Sequence, residues 1–401
     1  MQPSQPQATS PAALPGRTFA TTFDPLRKHR GFRLFWASGF FFFSGTGIQA
    51  LVMAWLVYDL THSTYLLGIY TAVNLLPQLL GPLGGLAAER LDRVRLLLVS
   101  QALSIVSCLV VAALAASGLL AYWHLIVAGF VLGVTGSTMM PARSTLVMDL
   151  VSRSELSAAM ALNNVAMMSH QAVGPLIGGN VLRHLGVEEA LICAALGSAV
   201  AAAFLARVKV EGPAAQRSSL SPLRGLVEGF QMVLKHRTML LVLLVTFLCN
   251  VFGWPAFQTF MPVFAKDVLK VGPDGLGLMQ TTFGLGALVG AVTIASLGDF
   301  QYKGKLYLFG TAAFGLCYAL FAMSHWFPLS LGLLLLGGMA GSCFGVMQQT
   351  LLLVLAPSEF RGRVMGVMML AIGVMPLSSF TLGAIAGVVG AQPTATFCGF
   401  A

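Results

Sequence analysis

Charged residues are scarce in this sequence. Only 9% of the 401 residues are Asp, Glu, Lys or Arg, whereas 57% are hydrophobic and the mean hydropathy is +0.82. A soluble globular domain is about 45–50% apolar and about 25% charged. So few charges cannot cover a water-soluble body of this size, which excludes a soluble enzyme and indicates a membrane protein.

Metal and disulfide motifs are also missing. The six cysteines form no CxxC pair, and none has a His at metal-ligand spacing. We therefore expect small buried hydrophobic residues, with no disulfide framework, no metal site and no cofactor. The net charge of +9 is scattered between apolar stretches rather than gathered into a basic patch with aromatics, which excludes nucleic-acid binding.

The N-terminus lacks the apolar core of a cleavable signal peptide. Residues 1–31 are polar, rich in Pro, Ser and Gln, and end in a basic cluster. We interpret them as a cytoplasmic tail, with the first membrane span acting as an uncleaved targeting signal.

What the sequence does contain is a series of long apolar stretches. A helix that crosses a bilayer needs about 20 apolar residues. This length predicts eleven spans, and a twelfth apolar stretch begins near Ala395 and stops at Ala401. The eleven predicted spans are residues 34–58, 65–88, 96–116, 122–142, 157–182, 190–206, 239–264, 275–298, 306–324, 327–355 and 364–390.

Basic residues predict the orientation of these spans. With a cytoplasmic N-terminus, 20 of the 23 Lys and Arg residues, Arg143 among them, fall on the cytoplasmic side. Only Arg183, Lys266 and Lys270 then lie outside, as the positive-inside rule requires. One missed span would invert every later loop, so this agreement also supports the number of spans.

The polar segment 207–237 divides the chain into a six-span unit, residues 32–206, and a second unit, residues 238–401. We interpret 207–237 as a cytoplasmic linker. The acidic and basic loop at Glu89 is echoed about 210 residues later at Asp299. Two copies of one helical unit characterise secondary transporters.

Two motifs add a family resemblance. The loop after the second span keeps a glycine, an acid and two bases of a known cytoplasmic motif, at Gly85, Glu89, Arg90 and Arg95. Asp92 replaces the second glycine of that motif and Val94 one of its bases. The fifth span contains GPLIGG, from Gly174 to Gly179, which is similar to a motif that marks exporters.

On these motifs, together with PARSTLVMDLV and RGRVMGVMML, the chain resembles the major facilitator superfamily from about Phe32 onward. It looks most like the bacterial branch that exports drugs, macrolides and enterobactin-type siderophores. The resemblance implies an all-α membrane protein of two duplicated six-helix bundles, with the twelfth helix truncated here.

The function implied is secondary active export of a bulky amphipathic molecule by alternating access, from the cell inner membrane, by a monomer in the lipid bilayer. Protons are the coupling ion that this family suggests. An importer or a lysolipid flippase of the same fold remains an open alternative.

A membrane-embedded enzyme would need a set of catalytic residues within the membrane, and the sequence has none. The duplication and the lack of a ring of charges along a pore argue against a receptor or channel.

Charged residues at the cytoplasmic ends predict a gate between the two halves. Its members come from the motif loop, the end of span four and the start of span eleven: Gly85, Glu89, Arg90, Asp92, Arg93, Asp149, Arg361 and Arg363. Helix dipoles and ion pairs between these ends could hold the cytoplasmic side shut. The alternative is a solvated set of charges that only fixes topology.

Uncharged amides inside the spans predict a central cavity, because lipid offers them no hydrogen-bond partner. For each amide alone, a hydrogen bond between helices is an equal alternative. Trp254, Phe257 and many Met residues would give the cavity apolar walls suited to a bulky organic molecule. The candidates are Gln49, Asn74, Gln78, Asn163, His170, Gln171, Asn250, Trp254, Phe257, Gln280, Gln348 and Gln349.

Span five carries a mixed polar and glycine face. Asn163, His170, Gly174 and Gly178 recur at helical spacing, beside Pro175 and Gly179. The glycines indicate close packing of a neighbouring helix. His170 is the one titratable residue well inside a predicted span, so it is either the proton-coupling group or a structural hydrogen-bond partner.

Overall fold

The computed structural model describes residues 23–80, 92–152, 155–208, 222–297, 302–357 and 359–401. In these residues the backbone is helical and contains no strand. The first half consists of α1 (Asp24–Lys28), α2 (Arg30–Thr61), α3 (Thr64–Leu75, with a 3₁₀ turn Leu76–Leu80), α4 (Arg93–Ala116), α5 (Tyr122–Leu150), α6 (Leu156–His184) and α7 (Val187–Leu205).

A linker helix, α8 (Pro222–Lys235), precedes the second half. The first span of the second half, α9, is a composite of Arg237–Leu248 and Trp254–Val263 with π turns at Cys249–Gly253 and Phe264–Val268. The remaining helices are α10 (Gly272–Ser296), α11 (Lys303–Met323), α12 (Phe327–Leu355), α13 (Arg361–Ile372 continuing as Met375–Val389) and α14 (Ala391–Phe400).

Nine helices among the described residues are long and apolar enough to cross a membrane. The 29-residue α6 is long enough but is not in this set, and its sequence carries several amides and a histidine that make it more polar. Helix α3 is followed only to Leu80, where the described segment ends. The set agrees with an all-α protein that passes through the membrane several times.

Most helix bounds fall within a few residues of the predicted spans, and α12 coincides with its prediction. Two predictions need correction. Helix α5 continues to Leu150 instead of ending at 142, so Arg143 and Asp149 lie inside a helix and not in a loop. The linker also contains α8, which the sequence interpretation missed, while most of its Pro- and Ser-rich segment, 209–221, lies outside the described residues.

Short turns between successive long helices make them antiparallel, which gives the molecule two ends. We call the end with Arg30, Leu205 and Arg237 the linker end, and the opposite end, with Thr61 and Val268, the distal end.

Buried apolar side chains form one shared core at the distal end and two separate cores at the linker end. The distal core combines residues of both halves, such as Leu51 and Phe260. One linker-end core contains described residues of the first half only, such as Phe32 and Leu146. The other contains residues from α8 onward only, such as Leu352 and Val364. In the described residues the halves are therefore joined at the distal end and part toward the linker end.

Glycines bring the two halves into backbone contact where α6 meets α10. A Cβ added at Gly277 would stand 2.3 Å from the carbonyl oxygen of Pro175, and one at Gly179 would stand 2.4 Å from that of Pro273. Such distances leave no room for any side chain. Close approach of this kind replaces the hydrophobic driving force, which is missing between helices in lipid.

Polar contacts outside the spans tie α1 to the start of α6 at the linker end. His29 Nε2 lies 2.7 Å from Glu155 Oε2, and the Ser152 hydroxyl donates to the same carboxylate at 2.8 Å. These hydrogen bonds, from His29 first and Ser152 second, lower the pKa of Glu155 to about 2. This contact holds the segment that leads into α2 against the start of α6.

The glycine contact generates a stability prediction. We expect Gly277→Ala to cost about 1–3 kcal/mol, because the new methyl group overpacks the contact with α6. Gly332→Ala is the matched control, since a Cβ there has nothing within 4 Å. Thermal unfolding of both variants in one detergent measures the difference, and equal melting temperatures would contradict the close contact.

Candidate functional site

Two adjacent pairs of residues join α2 to α9 at the distal end. The Tyr58 hydroxyl donates a hydrogen bond to the Asp267 carboxylate. Lys266 Nζ donates to Asp59 Oδ1 at 2.6 Å and lies 5.9 Å from the centre of the Trp55 ring. Neighbouring residues of one half thus bind neighbouring residues of the other, and the bonds hold the distal ends together.

A second polar contact joins α6 to the start of α10. Arg183 Nη1 donates to Asp274 Oδ1 at 2.6 Å and to the Val271 carbonyl oxygen at 3.3 Å. Deeper along the same helices, the Thr281 hydroxyl donates to the Ala172 carbonyl oxygen at 2.8 Å. Together with the glycines, these bonds form a contact between the halves that is separate from the contact of α2 with α9.

A cavity of about 510 Å³ opens at the distal face between the halves. It is bounded by residues of both halves, so it exists only while the distal ends stay together. Its walls are formed by Tyr58, His62, Ser63, Thr64, Val263, Asp267, Val268, Ala386, Gly387, Gly390, Ala391, Gln392 and Pro393.

The predicted gate lies at the linker end and is only partly described. Gly85, Glu89 and Arg90 fall outside the described residues. Asp92 caps the N-terminus of α4, where its Oδ1 accepts a hydrogen bond from the Val94 backbone N–H at 2.9 Å. This is the ordinary role of an N-cap aspartate.

The other predicted gate residues bond within their own half. Arg93 of α4 donates to the Asp149 carboxylate of α5. Arg361 Nε donates to a backbone carbonyl of α12 at 3.1 Å, and Arg363 Nη1 lies 2.5 Å from Glu228 Oε2 of α8. Among the described residues, the ion pairs that cross between the halves lie at the distal end instead.

The polar face of α6 turns toward its own half. His170 Nδ1 lies 3.2 Å from Thr46 Oγ1 of α2. Asn163 Oδ1 accepts a hydrogen bond from a guanidinium on α5 at 3.1 Å. Cβ atoms at Gly174 and Gly178 would stand 2.6 Å and 3.1 Å from the backbone of α2. The four residues therefore share one face, as their spacing predicts.

The GPLIGG motif serves two helix contacts at once. Gly174 and Gly178 face α2, whereas Pro175 and Gly179 face α10 of the other half. Gln171 continues the second contact, because a Cβ at Gly284 of α10 would stand 2.8 Å from the Gln171 carbonyl oxygen. The motif thus couples the interior of one half to the boundary between the halves.

In the first half, two of the predicted cavity amides are used between helices. Gln49 is 1% exposed, accepts a hydrogen bond from Ser104 at 2.8 Å and donates to Ser107 at 3.5 Å, both in α4. Asn74 Nδ2 donates to the Gly129 carbonyl oxygen of α5 at 2.9 Å. In this structure both residues therefore form hydrogen bonds between helices, the alternative to substrate contact that the sequence left open.

In the second half, two more amides are internally bonded. Asn250 Nδ2 donates to the Thr246 carbonyl oxygen at 2.7 Å, and Gln348 Oε1 accepts from the Thr246 hydroxyl at 3.2 Å. The Thr246 hydroxyl also lies 3.1 Å from the Tyr307 hydroxyl. A buried polar network of this kind fixes α9 against α11 and α12.

Trp254 and Phe257 belong to an aromatic cluster inside the second half. Trp254 stacks on Phe314 with 5.6 Å between ring centres, and the rings of Phe257 and Phe283 are 4.4 Å apart. Phe257 is buried, while Trp254 is half-buried. Four predicted amides remain accessible: Gln78, Gln171 and Gln349 are exposed, and Gln280 is partly exposed.

Arg143 is a buried charge that the sequence interpretation placed in a loop. It is 0% exposed, and its Nη2 donates to Asn163 while its guanidinium lies 4.1 Å from the Phe35 ring centre and 5.3 Å from that of Phe43. Its Nε and Nη1 have no hydrogen-bond partner. Gly39 makes room for it, since a Cβ there would stand 2.1 Å from Arg143 Nη2.

The sequence did hold a signal for this burial. One feature of the sequence argues against burial: Pro141 lies two residues before Arg143, and a proline usually ends a helix. The apolar periodicity nevertheless resumes at Leu146 and Val147, both fully buried. If the helix is extended through Pro141 to include these two residues, Arg143 is predicted to lie inside the helix bundle.

Most of the chain matches a known protein family. Residues 35–378 match the Major Facilitator Superfamily. Among individual proteins, the enterobactin exporter EntS of Shigella boydii serotype 4 is 25% identical over 345 residues, which cover 85% of this chain and 81% of that protein.

Solved structures of transporters share the fold. A point mutant of the nucleoside transporter NupG superimposes with a TM-score of 0.75 at 13% identity, covering 92% of this chain and 96% of that one. A D-xylose–proton symporter gives a TM-score of 0.67 at 15% identity, with coverages of 92% and 94%. At such low identities the likeness concerns the fold alone.

The buried guanidinium generates the next prediction. We expect Arg143→Met to leave the thermal stability unchanged or raised, because replacing a poorly paired buried charge by an apolar side chain is neutral or stabilising. Gly39→Ala should destabilise the wild type by about 1–3 kcal/mol through overpacking. Melting temperatures of the two single variants and the double variant test the contact, and the double variant should recover most of the loss. Additive effects of the two substitutions would contradict it.

Proposed function

Since this chain belongs to the Major Facilitator Superfamily, and is therefore a multi-pass membrane transporter rather than an enzyme, we propose that it exports a bulky amphipathic organic molecule by alternating access. The molecule would enter between the halves at the linker end and leave at the distal end.

The arrangement of the cores is the observation that carries this proposal. One core spans both halves at the distal end, and each half has a core of its own at the linker end. Two bundles with separate cores that are joined at one end can rock about the contact between them. Alternating access in transporters of this duplicated kind is a largely rigid movement of that sort.

The accessible amides and the aromatic cluster support a substrate of mixed polarity. Gln78, Gln171 and Gln349 are exposed, and exposed amides facing lipid would be left without partners. We therefore place them on the space between the halves. The relatives named as enterobactin exporters support export, and a siderophore-like organic molecule as substrate.

We further propose that the protein lies in the cell inner membrane with its N-terminus and linker in the cytoplasm. The distribution of Lys and Arg supports this orientation. The linker-end charges around Arg93 and Arg363 would then form the cytoplasmic gate when that end closes. Protons are the coupling ion we propose, with His170 as the titratable group inside the bundle.

Transport assays in vesicles test export directly. Inside-out vesicles containing the protein should accumulate a catecholate siderophore, a macrolide or a cationic dye when a proton gradient is imposed, and protein-free vesicles should not. Collapse of the gradient should abolish accumulation. Accumulation only in right-side-out vesicles would identify an importer and overturn the proposed direction.

If the distal ion pairs stabilise the state in which the distal end is closed, removing them should shift the equilibrium toward the distal-open state. We expect Lys266→Gln combined with Arg183→Gln to favour the distal-open state by about 2- to 30-fold, since each exposed pair contributes about 0.2–1 kcal/mol. Lys28→Gln is the control, because its partners Asp24 and Glu155 lie in the same half.

Distances between spin labels at exposed distal residues of the two halves, Leu185 and Trp326, would measure this shift. The labels would be attached at Leu185→Cys and Trp326→Cys in a cysteine-free background. A distance distribution that stays as in the wild type would show that these pairs do not hold the distal end.

A further inference from the structure

The linker helix α8 has two apolar faces, of which only one is packed. Gly229 and Val233 are buried against the second half. On the other face Val227, Phe230 and Leu234 are 57%, 53% and 53% exposed. Their spacing of three and four residues places them on one stripe of the helix. Within the described residues nothing covers this stripe.

Contacts with two spans fix the height of α8 relative to the membrane. Glu228 Oε2 lies 2.5 Å from Arg363 Nη1 in the first turn of α13. A Cβ at Gly229 would stand 2.6 Å from the Arg363 carbonyl oxygen, so the helix backbone rests on that turn. Lys235 is separated from the start of α9 by one residue, His236. Two membrane spans therefore begin beside α8, at the level where spans leave the bilayer.

Side chains next to the stripe are polar or basic. Gln231 and Lys235 are exposed on the adjoining face, and Arg237 follows at the start of α9. Beyond His236 the apolar surface continues, since Leu240, Leu241 and Leu244 of α9 are also exposed. An apolar stripe beside basic residues, continuous with the lipid-facing side of a span, has the pattern of helices that lie in a membrane interface.

We propose that the Val227–Phe230–Leu234 stripe inserts into the lipid headgroup region of the leaflet at the linker end, with Lys235 and Arg237 beside the lipid phosphates. The bilayer thereby holds α8, and α8 holds the start of α13 through Glu228 and Arg363. We favour lipid over the first half of the chain as the occupant, because α8 lies beside the starts of two spans and exposed apolar residues follow the stripe in α9. This surface does not depend on transport.

Spin labels on neighbouring residues give a matched test. Phe230→Cys and Gln231→Cys would be labelled one at a time in a cysteine-free protein, reconstituted in nanodiscs of phosphatidylethanolamine and phosphatidylglycerol. We expect the label at 230 to collide several times more often with oxygen than with a water-soluble nickel chelate, and the label at 231 to show the reverse. The depth at 230 should be about 5–10 Å below the phosphates.

Each other outcome overturns the proposal. If both labels collide mainly with the nickel chelate, the stripe faces water. If the label at 230 is immobile and reached by neither reagent, the stripe binds protein, either the first half or a second copy. Labels at Val227→Cys and Leu234→Cys should follow the label at 230, which guards against a local effect of one substitution. Failure of the vesicle assays would leave this result unaffected.

Discussion

Close backbone contact at glycines, as between α6 and α10, is the interaction on which the relative placement of the two halves depends. At Gly179 and Gly277 the helices approach so closely that a methyl group would collide with a carbonyl oxygen. Inside a bilayer, apolar side chains gain little by leaving lipid, so close van der Waals packing must supply the association. The ion pairs at Asp59 and Arg183 are partly exposed, and each contributes at most about 1 kcal/mol. The glycines therefore locate the halves, and we propose that the ion pairs bias which end is closed.

The lipid surroundings also explain where the polar side chains lie. Lipid offers no partner to an amide, so Gln49, Asn74 and Gln348 each bind another helix of their own half. These bonds hold the helices of each half against one another. Arg143 departs from this rule, because two of its donors are buried without partners. Retaining such a charge costs stability, which is characteristic of residues kept for function in membrane proteins.

Span positions followed from the sequence because bilayer thickness imposes one length on every crossing helix. The shared face of Asn163, His170, Gly174 and Gly178 followed equally from helical periodicity. The placement of Arg143 did not, since the apolar-length criterion ended the span at residue 142 whereas the helix continues to Leu150. Helix α8 was missed because its segment is too short and too polar for a span. For the amides, composition predicted that partners must exist but not which helix supplies them.

The predicted gate shows a different kind of limit. Which charges pair between halves depends on the state that the protein occupies, and one sequence encodes both states. Here Arg93 binds Asp149 and Arg363 binds Glu228, so these linker-end cations are already paired within their halves. In the proposed alternating-access mechanism, closing the linker end would make these cations exchange partners, while opening the distal end would release Lys266 and Arg183. An exchange of ion pairs at both ends would leave the two states close in free energy, and a substrate or a coupling ion can then shift the balance between them.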